Sequence, residues 1–199
     1  MKLEKLIGQK LLLAFHGKEQ ISAEIVDAFR RYSPGGVTRF RSMNMGTLVQ
    51  IRQLTDGLQR LAEENALPLL IVATDQEGGQ LMAVGEGTPL PGNMALGATR
   101  SVELARQAGE VLGTELAALG INVDYAPCAD VNINPLNPVV GTRSFGDDPQ
   151  WVGELAAAMI GGIQSQGVAA TVKHFPGHGD TASDSHHGMA SVPHSMERL

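Results

Sequence analysis

The feature that most restricts the fold is an alternation. Short apolar runs and helix-periodic stretches take turns along the whole chain. The apolar runs fall at residues 11–15, 35–40, 69–74, 123–130 and 169–175. Between them, apolar residues recur every three or four positions, as a helix with one buried face requires. Leu48, Ile51, Leu54, Leu58 and Leu61 form the strongest such series. "PLLIVAT" (68–74) is unbroken apolar sequence, the pattern of a strand buried on both faces. Helix boundaries are also written in the chain. Ser22 and Ser101 stand where an N-cap hydroxyl accepts an orphan amide, and Asp148-Pro149 marks a helix start. Gly120 and Gly167 stand where a left-handed residue ends a helix.

Alternating strands and helices imply parallel βαβ units, which gather chemistry at the C-terminal ends of their strands. Asp75 and Glu77 follow the third run, Asp130 and Asn132 end the fourth, and Lys173 and His174 end the fifth. A (β/α)8 barrel has eight strands and usually needs ~250 residues. The 199 residues here supply five runs. The expected fold is therefore an α/β, TIM-type (β/α)8 barrel truncated after about five strands. A complete five-stranded doubly wound sheet is the alternative. The closing "SMERL" reads as the first turn of another helix, which favours the truncated barrel. No internal repeat, low-complexity tract or linker divides the chain, so residues 1–199 are expected to form one domain.

Composition serves mainly to exclude. A 43% hydrophobic, 18% charged chain is globular in type, and a net charge of −6 gives no electrostatic case for nucleic acid. The longest apolar run near the N-terminus is residues 11–15, too short for a signal peptide or for the ~20 apolar residues of a membrane helix. No membrane association is expected. The lone Cys128 cannot form an internal disulfide, which fits a reducing compartment. The expected location is cytoplasmic.

The fifth run leads into "KHFPGHGDTASDSHHG" (173–188), and five of the six histidines lie between His174 and His194. His174 and His178 have the spacing of two metal ligands on a helix face, but Pro176 and Gly177 lie between them and argue against a helix. A loop zinc site, and with it a metal-dependent hydrolase, stays open on residue type alone. Asp184 and His186 are two apart, so in an extended segment carboxylate and imidazole point the same way. A carboxylate partner orients a histidine and favours its protonated form.

This stretch resembles the signature of glycoside hydrolase family 3, in its β-N-acetylhexosaminidase branch: K-H-F-P-G-H-G-x-T-x-x-D-S-H. Every fixed position is present, from Lys173 to His186. The family's β-glucosidases and β-xylosidases share the lysine–histidine beginning but lack the D-S-H loop, so the match also selects the branch. "YAPCADVNINPLNPVVGTRSFGDDP" (125–149) is similar to the family's A-P-x-x-D-V-N-x-N-P run, and "TDQEGG" (74–79) to its D-x-E-G-G segment.

The resemblance implies a retaining glycosidase that releases terminal β-linked N-acetylglucosamine from small glycosides, such as peptidoglycan fragments. It implies His186 as general acid/base with Asp184 as its partner, in the place a second carboxylate takes in most glycosidases. It implies Asp75, Arg143, Lys173 and His174 as ligands of the sugar hydroxyls. The implied partner is an N-acetylglucosaminide, with no cofactor and no metal. The nucleophilic aspartate is implied on a later strand, beyond residue 199, and no aspartate of the chain matches its motif. An inactive sugar-binding fragment is the alternative, and water and phosphate are not separated as acceptors.

Neighbouring residues have plainer readings. Asp130 and Asn132 are expected to fix their loop by local hydrogen bonds, and His178 to shape its own loop. Glu77 either holds the turn before Gly78 and Gly79 or touches sugar. Asp180 reads as a turn or cap residue, and His16 and His194 as surface groups. The sequence departs from the family in having "QLMA" (80–83) where an R-V-x-R run is common, and Met189-Ala190 where Leu-Pro is usual.

Overall fold

The computed structural model describes residues 2–192 and 194–195. Helix α1 (Leu3–Gly8) precedes strand β1 (Leu12–Leu13), helix α2 (Ala23–Tyr32), strand β2 (Gly36–Arg39), helix α3 (Leu48–Glu64) and strand β3 (Ile71–Thr74). A hairpin of β4 (Gln76–Gly78) and β5 (Leu81–Met82) leads to helices α4 (Asn93–Ala98) and α5 (Val102–Ala118). Strand β6 (Val123–Asp124), a 3-10 turn (Gly141–Arg143), helix α6 (Pro149–Ser165) and strand β7 (Ala169–Ala170) complete the order.

The local signals act as expected. Ser22 Oγ accepts from the Ile25 amide at 3.4 Å and Ser101 Oγ from the Leu104 amide at 3.2 Å. Asp148 Oδ1 accepts from the amides of Gln150 and Trp151, with Pro149 in the first turn of α6. Thr47 and Gln50 form a capping box that starts α3. Gly120 and Gly167 follow helices at φ +73° and +80°, where a Cβ would be strained.

Five strands form one parallel sheet in the order β1-β2-β3-β6-β7. That order settles the architecture. A doubly wound sheet reverses its strand order at a switch point, and here spatial order follows chain order throughout. Each right-handed crossover therefore places its helix on the same face, as in a (β/α)8 barrel. The five expected strands are present but shorter than the apolar runs. Past β6 and β7, pairing continues as single bonds, from Thr171 N–H to Asp124 O and from Ala129 N–H to Lys173 O at 2.7 Å. Pro127 has no N–H to give a regular ladder.

The core lies between the sheet and α2, α3, α5 and α6, and is built on Phe29, Ile51, Leu58, Val37, Val72, Leu112 and Leu155. Each such side chain contributes roughly 1.5–3 kcal/mol on burial. Helices α5 and α6 approach closely because glycine faces backbone at the crossing. A Cβ on Gly109 would lie 2.2 Å from Met159 O. The expectation of a third strand buried on both faces is corrected in part. Leu12, Gly36 and Ile71 share one row of the sheet, and Leu12 and Ile71 are 42% and 41% exposed. The helix-facing row of Val37 and Val72 is fully buried. Helices α1 and α4 and the β4–β5 hairpin were not foreseen, because each is too short to show a period. Among the described residues no helix is long and apolar enough to cross a membrane. The helical turn expected at 195–199 lies outside the described residues except for Ser195.

Candidate active site

The site forms where β3, β6 and β7 end. The chain leaves β3 at Thr74, and Asp75, Gln76 and Glu77 turn across the sheet end into the hairpin. Glu77 is 2% exposed and joins two cations. Arg143 donates to it twice, Nε to Oε2 at 2.9 Å and Nη2 to Oε1 at 2.8 Å, in a bidentate fork. Lys173 Nζ lies 2.5 Å from both Glu77 Oε1 and Asp75 Oδ1. Burial pushes the Glu77 carboxyl up, but the bonds from Arg143 and the charge and bond of Lys173 outweigh it, so it sits below the ordinary carboxylate value. Asn93 donates to the Arg143 carbonyl at 2.8 Å and fixes the turn that carries the guanidinium.

A second chain of contacts runs from β6 to the histidine-rich loop. Asp130, 2% exposed, receives the Cys128 thiol on Oδ2 at 3.2 Å and has the same oxygen 2.5 Å from His174 Nδ1. Its Oδ1 accepts the His178 amide at 2.6 Å. The ring of His178 then bridges the loop, with Nδ1 2.7 Å from Thr181 Oγ1 and Nε2 3.1 Å from Ser185 Oγ. Asn137 donates to the His178 and Thr181 carbonyls and closes the loop from below. Ser185 stands between Asp184 and His186, whose Nδ1 lies 2.6 Å from Asp184 Oδ1. Asp184 Oδ1 also accepts the His186 amide at 2.8 Å. The amide bond first, and the ring second, hold the Asp184 carboxyl below its ordinary value. The His186 side chain is 78% exposed, so Asp184 fixes its orientation while leaving the ring in solvent.

Asp75, Arg143, Lys173, His174 and His186 line one cleft of about 590 Å³, with Phe40, Leu81, Tyr125 and Val139 on its apolar side. Asp184 does not line it and stands behind His186. The expected site residues thus converge from two strand ends, a 3-10 turn and one loop. Two members were under-read from sequence. Glu77 does not hold a turn alone, since it pairs with Arg143 and Lys173, two of the expected sugar ligands. Asp130 does more than fix its own loop, because it reaches His174 and His178, 44 and 48 residues away. Their placement after strand ends was the available signal. His194 is not a lone surface group, since its Nε2 lies 2.5 Å from Asp180 Oδ2.

Among the described residues the ligand atoms of Cys128, Asp130 and His174 lie within 4.8 Å of one another and could approach a metal ion. Burial and the charge of Asp130 push the Cys128 thiol up to about 12, and it donates to Asp130. The group reads as a hydrogen-bond relay that holds His174, with Nε2 turned towards Arg143 Nη2 at 3.5 Å.

The same chain matches the family model "Glycosyl hydrolase family 3 N terminal domain" over residues 2–199. The chain belongs to glycosyl hydrolase family 3. It is 37% identical to the Beta-hexosaminidase A of Pseudoalteromonas piscicida, covering 98% of this chain and 36% of that protein. Its backbone superposes on the family 3 beta-N-acetylglucosaminidase of Paenibacillus sp. str. FPU-7 with a TM-score of 0.95 and 44% identity, covering 100% of this chain and 38% of that one. NagZ from Neisseria gonorrhoeae gives a TM-score of 0.83 and 31% identity, covering 94% and 55%. The chain thus spans roughly a third to just over half the length of these matched proteins.

Proposed function

We propose that this family 3 chain carries the sugar-binding and acid/base half of a retaining β-N-acetylhexosaminidase. Its substrates would be terminal β-linked N-acetylglucosaminides of small glycosides, such as peptidoglycan fragments in the cytoplasm. One observation carries the reading. A carboxylate-held histidine and four charged or imidazole groups, drawn from the ends of β3 and β7 and from the 3-10 turn, border a single cleft. The names of the matched proteins support the substrate class.

In this reading Asp75, Arg143, Lys173 and His174 hold the sugar hydroxyls, where charged hydrogen bonds are strong and directional. With Nδ1 committed to Asp184, Nε2 of His186 is the nitrogen that gives its proton to the glycosidic oxygen as the C1–O bond breaks. An aspartate beyond residue 199 attacks C1 from the opposite face and forms a glycosyl-enzyme. His186 then takes a proton from water, whose oxygen displaces the aspartate and releases the sugar. An imidazole has an ordinary pKa near 6.5, which suits both directions of transfer.

The test uses His186→Ala in the protein expressed from its complete gene. Hydrolysis of a natural disaccharide is expected to fall about 10²- to 10⁴-fold, the usual contribution of a general acid. A nitrophenyl glycoside needs little protonation and should suffer less. Equal, small losses on both substrates would remove the assignment. A second reading rests on the share of its relatives that the chain spans: alone, it binds sugar without turnover. Assaying the 199-residue chain itself separates the two.

A further inference from the structure

Asp124, at the end of β6, has no part in the chemistry above. Yet it is fully buried, and it touches the segment that carries the two acids of the sugar cluster. Its Oδ1 accepts the Gln76 amide at 2.9 Å. That amide lies between Asp75 and Glu77. Past Thr74 the parallel ladder has ended, so this bond is what joins the turning segment to the neighbouring strand. Gln76 Oε1 in turn accepts the Val84 amide at 2.9 Å, which ties the far end of the hairpin to the same point. The other carboxyl oxygen, Asp124 Oδ2, is buried with no hydrogen-bond partner among the described residues.

We propose that Asp124 is a positioning residue for the sugar-binding cluster: its buried carboxyl ties the Asp75–Glu77 segment to β6, and whether that carboxyl holds a proton decides how firmly the segment is held. The inference rests on the sugar-binding role given above to Asp75, Arg143 and Lys173, the last two of which Glu77 anchors.

The physical argument is one of charge. The groups whose charges reach Asp124 are Asp75 and Glu77 beyond β3 and Lys173 beyond β7. In its row of the sheet it stands beside Thr74 and Ala170, which are uncharged. An ionised Asp124 would be a third carboxylate beside Asp75 and Glu77, with one oxygen unpaired in a dry site. Such a group is stable only if water enters or the segment moves. Burial, and after it the two neighbouring acids, outweigh Lys173 and the Gln76 bond and push the Asp124 carboxyl up to about 8. At neutral pH the proton stays on, and the segment is held without a third charge.

The experiment compares wild type with Asp124→Asn in the protein expressed from its complete gene. Asparagine keeps an oxygen for the Gln76 amide and cannot ionise. KM for an N-acetyl-β-glucosaminide is expected to rise about tenfold per pH step above about pH 8 in wild type. The variant should keep a flat KM there, with kcat near that of wild type. A flat wild-type KM, or the same alkaline rise in the variant, overturns the proposal. Infrared spectroscopy gives a reading independent of turnover and of the variant's folding. The carbonyl stretch of a protonated carboxyl should be present in wild type at pH 7 and vanish in alkaline solution. Its absence at pH 7 also overturns the proposal. Should wild type hydrolyse no N-acetylglucosaminide, the functional reading fails while the infrared result still decides the state of Asp124.

Discussion

Glu77→Gln removes the charge shared by Arg143 and Lys173 while keeping the shape of the side chain. The two cations are 12% and 14% exposed, and Glu77 is 2% exposed, so solvent can do little to compensate. Breaking a buried pair by removing one partner costs about 3–5 kcal/mol. Glutamine still offers one oxygen to the guanidinium, and Asp75 still pairs with Lys173, so the lower end, about 3 kcal/mol, is expected. For a chain of this length that is a fall in Tm of roughly 6–12 °C. The assay is thermal unfolding of wild type and variant across pH. The folded-state value of Glu77 lies below its ordinary 4.5, so its contribution is full above pH 4.5 and is lost as pH falls through the depressed value. The deficit of the variant should therefore shrink in acid, because wild-type Glu77 is then itself protonated. A variant whose Tm at neutral pH is within about 2 °C of wild type would refute the argument that Glu77 is a stabilising hub. A deficit that did not change with pH would refute its electrostatic origin.

Two further outcomes test the fold and the relay. Gly109→Ala places a methyl 2.2 Å from Met159 O at the α5–α6 crossing, and should cost about 3 kcal/mol in a urea melt; an unchanged midpoint would mean that the helices separate easily. Cys128 is fully buried with its thiol pushed up to about 12, so the native protein should resist thiol reagents and be labelled only on unfolding. Rapid labelling of the native state would contradict the relay of Cys128, Asp130 and His174.

The repeated strand and helix units were legible because period is a local property. Leu48, Ile51, Leu54 and Leu58 reveal a helix from their own spacing, and Ser22, Ser101 and Asp148 reveal starts from chemistry within three residues. The D-x-H pair was legible from residue type and spacing, but Asp184 meets His186 across a turn at 185–187 and not along the expected extended segment. The hairpin over residues 76–82 was not, because strands of three and two residues carry no usable period.

What the amino-acid order alone determined is the succession of elements and the residue types that close each strand. It left open whether five strands wind one way or reverse, and the sequential order of the sheet decided that. It also left Glu77, Asp130 and Asp124 as minor or unremarked acids. Their importance comes from partners brought from far along the chain: Arg143 is 66 residues from Glu77, His174 is 44 from Asp130, and Gln76 is 48 from Asp124. A carboxylate is a solvated surface group or the anchor of a site according to what burial removes and which charges replace the water. Only the packed structure sets both.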